Sequence, residues 1–285
     1  MPVKVSVCMI AYNHAAFIAQ AIEGVMQQQT SFDVELVIGE DCSTDNTRVI
    51  IQDYQRQFPE KIKLLLPEKN LGMMANFSQT LQACTGTYVA LCEGDDYWTD
   101  PHKLQKQVNL LEENPSFSIS FHRVKVIHEN NPALDYISNP DQQEETTILD
   151  LALNNYIHTV SCVFRNHQTV LPASFHASPV GDYLLHLLNA QHGKIHFLPA
   201  TMAVYRVHAG GVWGEKNRAE QFTKWDIVLQ LAMAHFQGKV KKTLIKQRKN
   251  NLRELNKLYK KLNQPNPLRW RFYWIYFINF LNKIN

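Results

Sequence analysis

The sequence predicts an α/β fold with a mostly parallel sheet, and three observations support this prediction. Strand-like and helix-like segments alternate four times within about 115 residues of the N-terminus, which is the pattern of right-handed βαβ units. Residues 34–39 are almost entirely apolar, as expected for a strand that is buried on both faces of a parallel sheet. The composition, 45% hydrophobic and 19% charged, excludes wholesale disorder.

The first half of the chain contains four predicted strands and four predicted helices in alternation. The strands are expected at 3–9, 34–39, 62–66 and 88–92. Apolar residues at helical spacing predict the helices, and these residues are Ile18, Ile22, Val25 and Met26; Val49, Ile50 and Tyr54; Met74, Phe77 and Leu81; and Leu104, Val108 and Leu111. This order requires parallel strands joined by helical crossovers.

Two of these helices have recognisable start signals. Ser43 or Thr44 is expected to cap the second helix, because a hydroxyl oxygen can accept a hydrogen bond from a free backbone N–H of the first turn. Asp100 followed by Pro101 is expected to cap the fourth helix, since proline fits the first helical position.

The second half of the chain is less regular. Strands are predicted at 117–127, 160–165 and 201–207, a polar loop at 129–147, and helices at 183–190, 218–238 and 240–262. Gly238 is the expected break between the last two helices. The five cysteines, Cys8, Cys42, Cys84, Cys92 and Cys162, form no C-x-x-C pair, which argues against a disulfide framework and a thiolate zinc site.

The charge distribution divides the chain into two parts. Residues 239–285 hold 13 of the 29 basic residues and one of the 26 acidic residues, so residues 1–238 are net acidic. We therefore predict a domain at 1–238 and a basic, aromatic-rich helical extension at 239–285. Residues 1–14 become polar too early for a secretory leader, and no apolar run is long enough to span a membrane. These features predict a cytoplasmic protein.

Acidic residues follow two of the predicted strands. Glu40 and Asp41 end the second strand, and Glu93, Asp95 and Asp96 follow the fourth. Ligands of open α/β sheets bind beyond the carboxyl ends of the strands. Clustered carboxylates repel one another unless a cation lies between them, and oxygen ligands suit Mg²⁺ or Mn²⁺. Helix capping is the simpler explanation for a single carboxylate. The P-loop and G-x-G-x-x-G patterns do not occur in the sequence.

Several short motifs together resemble family 2 glycosyltransferases of the bacterial polysaccharide type. The motifs are Val5-Ser6-Val7 through Ala11-Tyr12-Asn13, Glu40-Asp41-Cys42-Ser43-Thr44-Asp45, Asn70-Leu71-Gly72 with Asn76, Glu93-Gly94-Asp95-Asp96-Tyr97-Trp98, Gly181-Asp182-Tyr183, and Tyr205-Arg206-Val207-His208. The resemblance covers about residues 3–210. It implies the GT-A fold, a Rossmann-like sheet flanked by helices, with a nucleotide-binding half at about 1–115 and an acceptor-binding half at about 116–215.

The resemblance also implies roles for individual residues. It implies that Tyr12 and Asp41 contact a pyrimidine base, that Asp96 binds Mn²⁺ or Mg²⁺, and that Asp182 is the catalytic base. The full set of implied residues is Ala11, Tyr12, Asn13, Asp41, Asn70, Gly72, Asn76 and Asp95 for the nucleotide; Glu93, Asp95, Asp96 and His208 for the metal; and Trp98 and Arg206 for the acceptor. Thr159 and Ser161, on the predicted strand that leads to Arg165, are further candidates for the acceptor pocket, and a buried strand with small polar residues is the alternative. Glu40 and Glu93 stand where the family has aspartate, which leaves the direct metal ligands open among Glu93, Asp95 and Asp96.

The implied activity is inverting, metal-dependent transfer of a sugar in the synthesis of a cell-surface polysaccharide. The expected donor is a nucleoside-diphosphate sugar carrying UDP or dTDP rather than GDP, and the acceptor is a hydroxyl of a saccharide or a lipid-linked saccharide. Two alternatives stay open: a sugar-nucleotide-binding scaffold without turnover, and a nucleotidyltransferase. The second is disfavoured because residues 11–17 contain no glycine or lysine.

The C-terminal extension predicts attachment to an anionic membrane surface. A basic helix at 239–261 is followed by Pro265 and Pro267 and then by an aromatic segment whose Trp270, Trp274, Phe277 and Leu281 share one helical face. Such a segment can lie in a membrane interface, here the inner face of the cytoplasmic membrane. Packing on the catalytic domain or in a homodimer is the alternative. No groove-reading motif accompanies the charge, so we expect no nucleic-acid partner.

Overall fold

A central sheet with helices on both faces forms the body of the computed structural model, which describes residues 3–167, 171–211 and 217–268. Within these residues ten strands form one sheet, in the order β3-β2-β1-β4-β9-β6-β10-β5, with β7 beside β6 and β8 beside β10. The strands are β1 (Val5–Ala11), β2 (Val34–Glu40), β3 (Ile62–Leu65), β4 (Tyr88–Leu91), β5 (Tyr97–Trp98), β6 (Phe117–His128), β7 (Tyr136–Ile137), β8 (Glu145–Thr146), β9 (Val163–Arg165) and β10 (Lys194–Val207).

The helices connect these strands and cover both faces of the sheet. In chain order they are α1 (Ile18–Met26), α2 (Thr47–Gln57), α3 (Met73–Gln82), α4 (Lys103–Glu113), α5 (Ile148–Leu151), α6 (Asp182–Ala190), α7 (Arg218–His235) and α8 (Gly238–Lys261). The predicted α/β class, with a sheet flanked by helices and a helical C-terminal part, is confirmed.

The N-terminal half of the sheet is parallel. β1 lies between β2 and β4 and pairs with both in parallel, so that Val7 is opposite Leu36 on one side and Ala90 on the other. β6 and β10 are also parallel, whereas β9 runs antiparallel to β4 and β6. The carboxyl ends of β1, β2 and β4 therefore meet at one edge of the sheet, where a ligand site is expected.

Both faces of the central strands are buried. In β2, Leu36 and Ile38 pack into one hydrophobic cluster with α1 and α4, whereas Val37 packs into a second cluster with α3 and α6. Successive side chains of a strand point to opposite faces, so a strand covered on both faces needs apolar residues at every position. This explains the apolar run, interrupted only by Glu35, that predicted β2.

The second half differs from the prediction in three places. The predicted strand 160–165 contains strand only at Val163–Arg165, because Thr159–Ser161 forms a 3₁₀ turn. The predicted loop 129–147 includes β7 and β8. β10 begins at Lys194 rather than at 201, since it pairs with β6 along its length and accommodates the break near Pro199 by shifts in register.

Neither predicted helix cap is found. α2 begins at Thr47, and Ser43 Oγ instead accepts a hydrogen bond from the backbone N–H of Asn13 at 2.9 Å. α4 begins at Lys103, and Asp100 Oδ1 accepts from the backbone N–H of His102 at 2.8 Å, closing a turn before the helix. In both cases the polar side chain completes a loop rather than the first helical turn.

α8 packs on the rest of the chain through buried polar contacts as well as leucines. Arg248 Nε donates to Asp226 Oδ1 of α7 at 2.6 Å, and Tyr183 Oη donates to Gln247 Oε1 at 3.0 Å. Gly238 starts α8 with a φ of 59°, which confirms the predicted break. Among the described residues no helix has both the length and the apolar character needed to cross a bilayer. The aromatic segment at 269–281 lies outside the described residues.

Candidate active site

A cavity of about 640 Å³ lies at the carboxyl ends of β1, β2 and β4. Its wall continues through the 155–159 segment, the start of α6 and the end of β10. Eleven of the residues predicted from the sequence line this cavity: Ala11, Tyr12, Asp41, Asn70, Gly72, Asn76, Glu93, Asp95, Thr159, Asp182 and Arg206. The fold thus brings together residues that are up to 195 positions apart in the sequence.

Asp41 holds the loop that forms one wall of the cavity. Its Oδ1 accepts from the backbone N–H of Leu71 at 2.7 Å, and its Oδ2 accepts from that of Gly72 at 2.9 Å. Asn70 Nδ2 donates to the backbone carbonyl of Asp41 at 2.9 Å. Gly72 has a φ of 84°, a backbone conformation that favours glycine. Each carboxylate oxygen keeps a second lone pair, so Asp41 can still accept a hydrogen bond from a ligand.

Asn13 braces two loops instead of lining the cavity. It adopts a φ of 55°, and its Oδ1 accepts from the backbone N–H of Thr44 at 2.8 Å. Glu40, fully buried, accepts from the backbone N–H of Ser43 at 2.6 Å and forms an ion pair with Arg48. The nucleotide contact predicted for Asn13 stays a prediction, and in the structure its side-chain oxygen is directed to the neighbouring loop. Tyr12, 44% exposed, lies at the cavity rim.

Three carboxylates crowd together in the loop between β4 and β5. One oxygen each of Glu93, Asp95 and Asp96 lies within 4.8 Å of the others. Burial, together with the charge of Asp95, raises the pKa of both Glu93 and Asp96 well above the ordinary value. Burial acts to raise the pKa of Asp95, but the hydrogen bond with His208 and the nearby charges of His14 and His208 together lower it. Carboxylates that repel one another in this way form a candidate site for a cation.

Two histidines face the same oxygen of Asp95. His208 Nε2 lies 3.0 Å and His14 Nε2 lies 3.7 Å from Asp95 Oδ2. The hydrogen bond to Asp95 raises the pKa of His208, whereas burial lowers the pKa of His14. His14 was missed in the sequence, although its position directly after Tyr12 and Asn13, at the end of β1, was a usable signal.

Arg206 supports the acidic loop from β10. Its backbone N–H donates to Asp96 Oδ1 at 2.8 Å, and its Nη1 donates to the backbone carbonyl of Asp95 at 2.6 Å. The guanidinium also lies 4.4 Å from the centre of the Tyr97 ring. The acceptor contact predicted for Arg206 stays a prediction, and in the structure this residue lines the cavity while fixing the loop.

Asp182 faces the cavity from the start of α6. It is the first residue of the helix, and Thr159 Oγ1 donates to its Oδ2 at 3.3 Å. Burial raises the pKa of Asp182.

Two aromatic rings meet in another part of the cavity wall. Burial lowers the pKa of His158 to about 4, and the ring of Tyr205 lies 5.4 Å from the His158 ring. His158 and Tyr205 line the cavity but were not among the predicted site residues. Nothing in the local sequence distinguishes His158, whereas Tyr205 begins the motif that contains Arg206 and His208.

Four other predicted residues do not line the cavity: Trp98, Ser161, Asp96 and His208. Trp98 is buried, and its Nε1 donates to the backbone carbonyl of Val160 at 3.0 Å. Ser161 Oγ donates to the backbone carbonyl of His158 at 2.7 Å. The acceptor role predicted for Trp98 and Ser161 stays a prediction, and in the structure both side chains hydrogen-bond to the backbone behind the cavity wall.

Two solved structures share this fold. The crystal structure of residues 1–349 of TarS from S. aureus in complex with UDP has a TM-score of 0.62 and 17% identity, covering 87% of this chain and 70% of that one. Mannosyltransferase PcManGT from Pyrobaculum calidifontis, in complex with GDP-Man and Mn²⁺, has a TM-score of 0.62 and 16% identity, with 87% and 71% coverage. At these identities the likeness shows the fold, which is of the GT-A type.

Curated relatives match this chain over only part of their own length. An uncharacterized protein of Mycobacterium tuberculosis (strain H37Rv) is 40% identical over 208 residues, which are 73% of this chain and 60% of that protein. An Escherichia coli relative is 29% identical over 127 residues, 45% of this chain and 48% of its own length. It bears the name UDP-Glc:alpha-D-GlcNAc-diphosphoundecaprenol beta-1,3-glucosyltransferase WfgD.

A sequence model of the family described as Glycosyl transferase family 2 matches residues 6–171. The matched segment contains β1 through β9 and includes Asp41 and the acidic loop. It covers more than half of the 285 residues. The chain belongs to glycosyl transferase family 2.

Proposed function

We propose that this protein transfers a sugar from a nucleoside-diphosphate sugar to a hydroxyl of a saccharide acceptor, with inversion at the anomeric carbon. One observation carries the proposal: Glu93 and Asp95 on the donor side and Asp182 on the acceptor side line a single cavity. A displacement of this kind needs stabilisation of the leaving diphosphate and a base for the attacking hydroxyl. The family membership and the fold support the same activity.

The donor site is formed by residues after β1 and β2. We propose that Tyr12 lies against the nucleotide base and that Asp41 accepts a hydrogen bond from a pyrimidine N–H, which favours UDP or dTDP over GDP. Asn70, Gly72 and Asn76 shape the wall beside it. The solved neighbours are complexes with UDP and with GDP-Man. The fold can therefore hold a nucleotide or nucleotide sugar, and we expect the residues of each chain to determine which nucleotide base it prefers.

The acidic loop fits a divalent cation. Asp96 Oδ2 is buried without a hydrogen-bond partner in the described part of the chain, and hard oxygen ligands suit Mn²⁺ or Mg²⁺. We propose that Glu93, Asp95 and Asp96 hold the ion, with His208 beside Asp95. When bound, the ion supplies positive charge for the leaving diphosphate. The arginine contacts described above keep the loop in place for it.

Asp182 is the proposed base. Thr159 donates to its Oδ2, which leaves Oδ1 able to take the proton of the acceptor hydroxyl. Burial raises the pKa of Asp182, which is the direction that suits a general base. Tyr136, Asn155 and Tyr156 line the cavity on this side, and we propose that the acceptor lies against them.

A role in cell-surface polysaccharide synthesis follows from the relatives. The E. coli relative carries a lipid-linked acceptor in its name, and we propose a saccharide or lipid-linked acceptor here. The exposed basic residues of α8 include Lys239, Lys242, Lys246 and Lys257, and attraction to anionic lipid adds about 1 kcal/mol for each such residue near a surface. We propose peripheral attachment at the cytoplasmic face through 239–285.

Vesicle co-sedimentation tests this attachment. Vesicles that contain anionic lipid should pellet the full chain, and a 264–285 deletion should pellet less. Neutral vesicles serve as the control. Equal binding by the deletion variant would remove the C-terminal segment from the proposal. A homodimer formed through the same segment is an untested prediction, and the same samples can be checked by size-exclusion chromatography with light scattering.

Ligand-dependent thermal unfolding tests the donor proposal. UDP-glucose, dTDP-glucose and GDP-mannose are screened with and without Mn²⁺, and a uridine or thymidine donor with Mn²⁺ should raise the Tm most. At a hundredfold excess over Kd, binding adds about 2.7 kcal/mol. If no nucleotide sugar raises the Tm, the proposal fails. Stabilisation without any donor hydrolysis would favour the alternative of a binding protein without turnover.

A further inference from the structure

The turn that carries Thr159 is held from behind by two side chains far away in sequence. Trp98 Nε1 donates to the backbone carbonyl of Val160 at 3.0 Å. Gln107 Nε2 donates to the backbone carbonyl of Ser161 at 3.0 Å. Trp98, Gln107 and residues 159–161 are buried. We call residues 158–161 the acceptor turn, because His158 and Thr159 line the cavity beside Asp182.

The orientation of the Gln107 amide is determined by its neighbours. Gln107 Nε2 lies 3.0 Å from each of two backbone carbonyls, those of Ser120 and Ser161, and a carbonyl can only accept, so the amide nitrogen must face them. The amide oxygen therefore faces Lys103 Nζ, at 2.9 Å. Lys103 Nζ also lies 4.1 Å from the Trp98 ring centre. The acceptor turn is thus joined both to β6 and to α4.

Trp98 also links the two sides of the cavity. It follows the acidic loop by two residues and pairs with Ala203 of β10. Its indole bond to Val160 therefore connects the segment that carries Glu93, Asp95 and Asp96 with the acceptor turn. Three further hydrogen bonds close the turn itself. Ser161 Oγ and the backbone N–H of Ser161 both donate to the carbonyl of His158, and the backbone N–H of Cys162 donates to the carbonyl of Thr159.

We propose that Trp98 and Gln107 are positioning residues for Asp182: they fix the acceptor turn so that Thr159 Oγ1 stays within hydrogen-bonding distance of the Asp182 carboxylate. This inference rests on the proposed role of Asp182 as the base. Neither residue lines the cavity, so neither contacts substrate, and both act through the turn. A buried hydrogen bond that is lost leaves its carbonyl partner unsatisfied, which is a reason for the turn to move.

The direct test uses Gln107→Met, Trp98→Phe and Thr159→Val. Gln105→Met, on the same helix but facing away from Gln107, is the matched control. Hydrogen exchange at the Ser161 and Cys162 amides needs no substrate. Gln107→Met and Trp98→Phe should speed exchange at these amides at least tenfold while the exchange of β1 amides stays unchanged, and the control should change neither. Unaltered exchange at the turn in both variants would overturn the proposal.

Kinetics separate positioning from mere stability. With UDP-glucose and Mn²⁺, and water as the acceptor, each of the three variants should lower kcat about tenfold with little change in the donor KM. Loss of the Thr159 bond should move the acidic limb of the pH–rate profile to higher pH, since that hydrogen bond favours the carboxylate form. The double variant Gln107→Met/Thr159→Val should lose no more than Thr159→Val alone, because both act through one contact.

The two proposals fail separately. If Asp182→Asn keeps full activity, the base assignment fails whatever the turn does. A second outcome separates the two proposals: Asp182→Asn is inactive, but Gln107→Met and Trp98→Phe have the kcat of the unaltered protein and the same acidic limb of the pH–rate profile. In that case only the positioning inference fails. Should Gln107→Met not fold, the same comparison can be made with Trp98→Phe and Thr159→Val. Phe keeps an aromatic side chain at position 98 without the indole N–H, and Val keeps the shape of threonine without its hydroxyl.

Discussion

His208 Nε2 lies 3.0 Å from Asp95 Oδ2, and this contact joins the end of β10 to the acidic loop that follows β4. The two residues are 113 positions apart in the sequence. The hydrogen bond shifts the pKa values of the two groups in opposite directions. It raises the pKa of His208 and acts to lower the pKa of Asp95, against the effect of burial. The contact therefore keeps one carboxylate of the crowded loop ionised.

The His208–Asp95 contact should give stability within a limited pH range. The pKa of His208 is raised in the folded state, so its contribution is present below the ordinary value of 6.5 and is lost as pH rises through the folded pKa. The pKa of Asp95 is lowered, so its contribution is present above the ordinary value of 3.8 and is lost as pH falls through the folded pKa. The contribution is largest between these ordinary values.

We expect His208→Gln to lower the free energy of unfolding by about 1 to 2 kcal/mol at pH 5.5 and by clearly less at pH 9. Urea unfolding in EDTA at both pH values measures the difference. His235→Gln, at an exposed position in α7, is the control and should change little. A loss of equal size at pH 5.5 and pH 9 would contradict an ionic contact.

Lys103 should make the protein more stable as pH rises above neutrality. Burial lowers the pKa of Lys103 from 10.5 to about 7, so between these values the unfolded chain binds more protons than the folded one, and the free energy of unfolding increases with pH. The increase from one group is at most about 1.4 kcal/mol per pH unit. Lys103→Met should remove it, as measured by urea unfolding from pH 6.5 to 9. The exposed Lys106→Met should keep it.

The buried ion pair between α7 and α8 should be needed for stability. Arg248 donates to Asp226 through Nε at 2.6 Å and Nη2 at 3.3 Å. Asp226→Ala leaves the buried guanidinium without its carboxylate and should cost about 3 kcal/mol in urea unfolding. The double variant Asp226→Leu/Arg248→Met should lose much less, and Glu254→Ala on the exposed face should lose almost nothing. Equal stability of Asp226→Ala and Glu254→Ala would show that α8 contributes little to the folded unit.

The parallel half of the fold could be predicted because its signals are local. The middle of β2, Leu36 to Ile38, is apolar because both of its faces are covered, and helical spacing located α1 and α3 within a few residues. Asp41 and the acidic loop could be predicted to meet for a related reason: parallel strands end at one edge of the sheet. The motif positions supplied the rest of the donor-side candidates.

The acceptor side could not be predicted in the same way, because its structure depends on contacts between distant residues. Thr159 and Ser161 lie in a turn rather than a strand. Two side chains more than 50 positions earlier, those of Trp98 and Gln107, donate hydrogen bonds to the backbone carbonyls of this turn. Trp98 looked like a ligand contact because it follows the acidic motif, yet its indole N–H is used inside the protein. No local pattern indicates that His158 reaches the cavity.

Asp182 should be needed for transfer but not for donor binding. Asp182→Asn keeps the shape of the side chain and removes its capacity to take a proton, so kcat should fall by about 10² to 10⁴ while the thermal shift produced by UDP with Mn²⁺ stays unchanged. The pKa of Asp182 is raised by burial, so the activity of the unaltered protein should fall as pH drops through that raised value. Asp53→Asn, on the surface of α2, is the control. Activity retained in Asp182→Asn would remove the base assignment.

The central claim is that the acidic loop holds a divalent cation together with the diphosphate of the donor. Calorimetric titration of UDP into the protein with and without Mn²⁺, compared with the same titrations of Asp96→Asn, tests it most directly. We expect Mn²⁺ to tighten UDP binding at least tenfold in the unaltered protein and to have no effect on UDP binding in Asp96→Asn. The variant should unfold at the same or a higher temperature in EDTA, because one buried carboxylate is gone. Equal UDP affinity with and without Mn²⁺ in the unaltered protein, or an unchanged Mn²⁺ effect in Asp96→Asn, would contradict the claim.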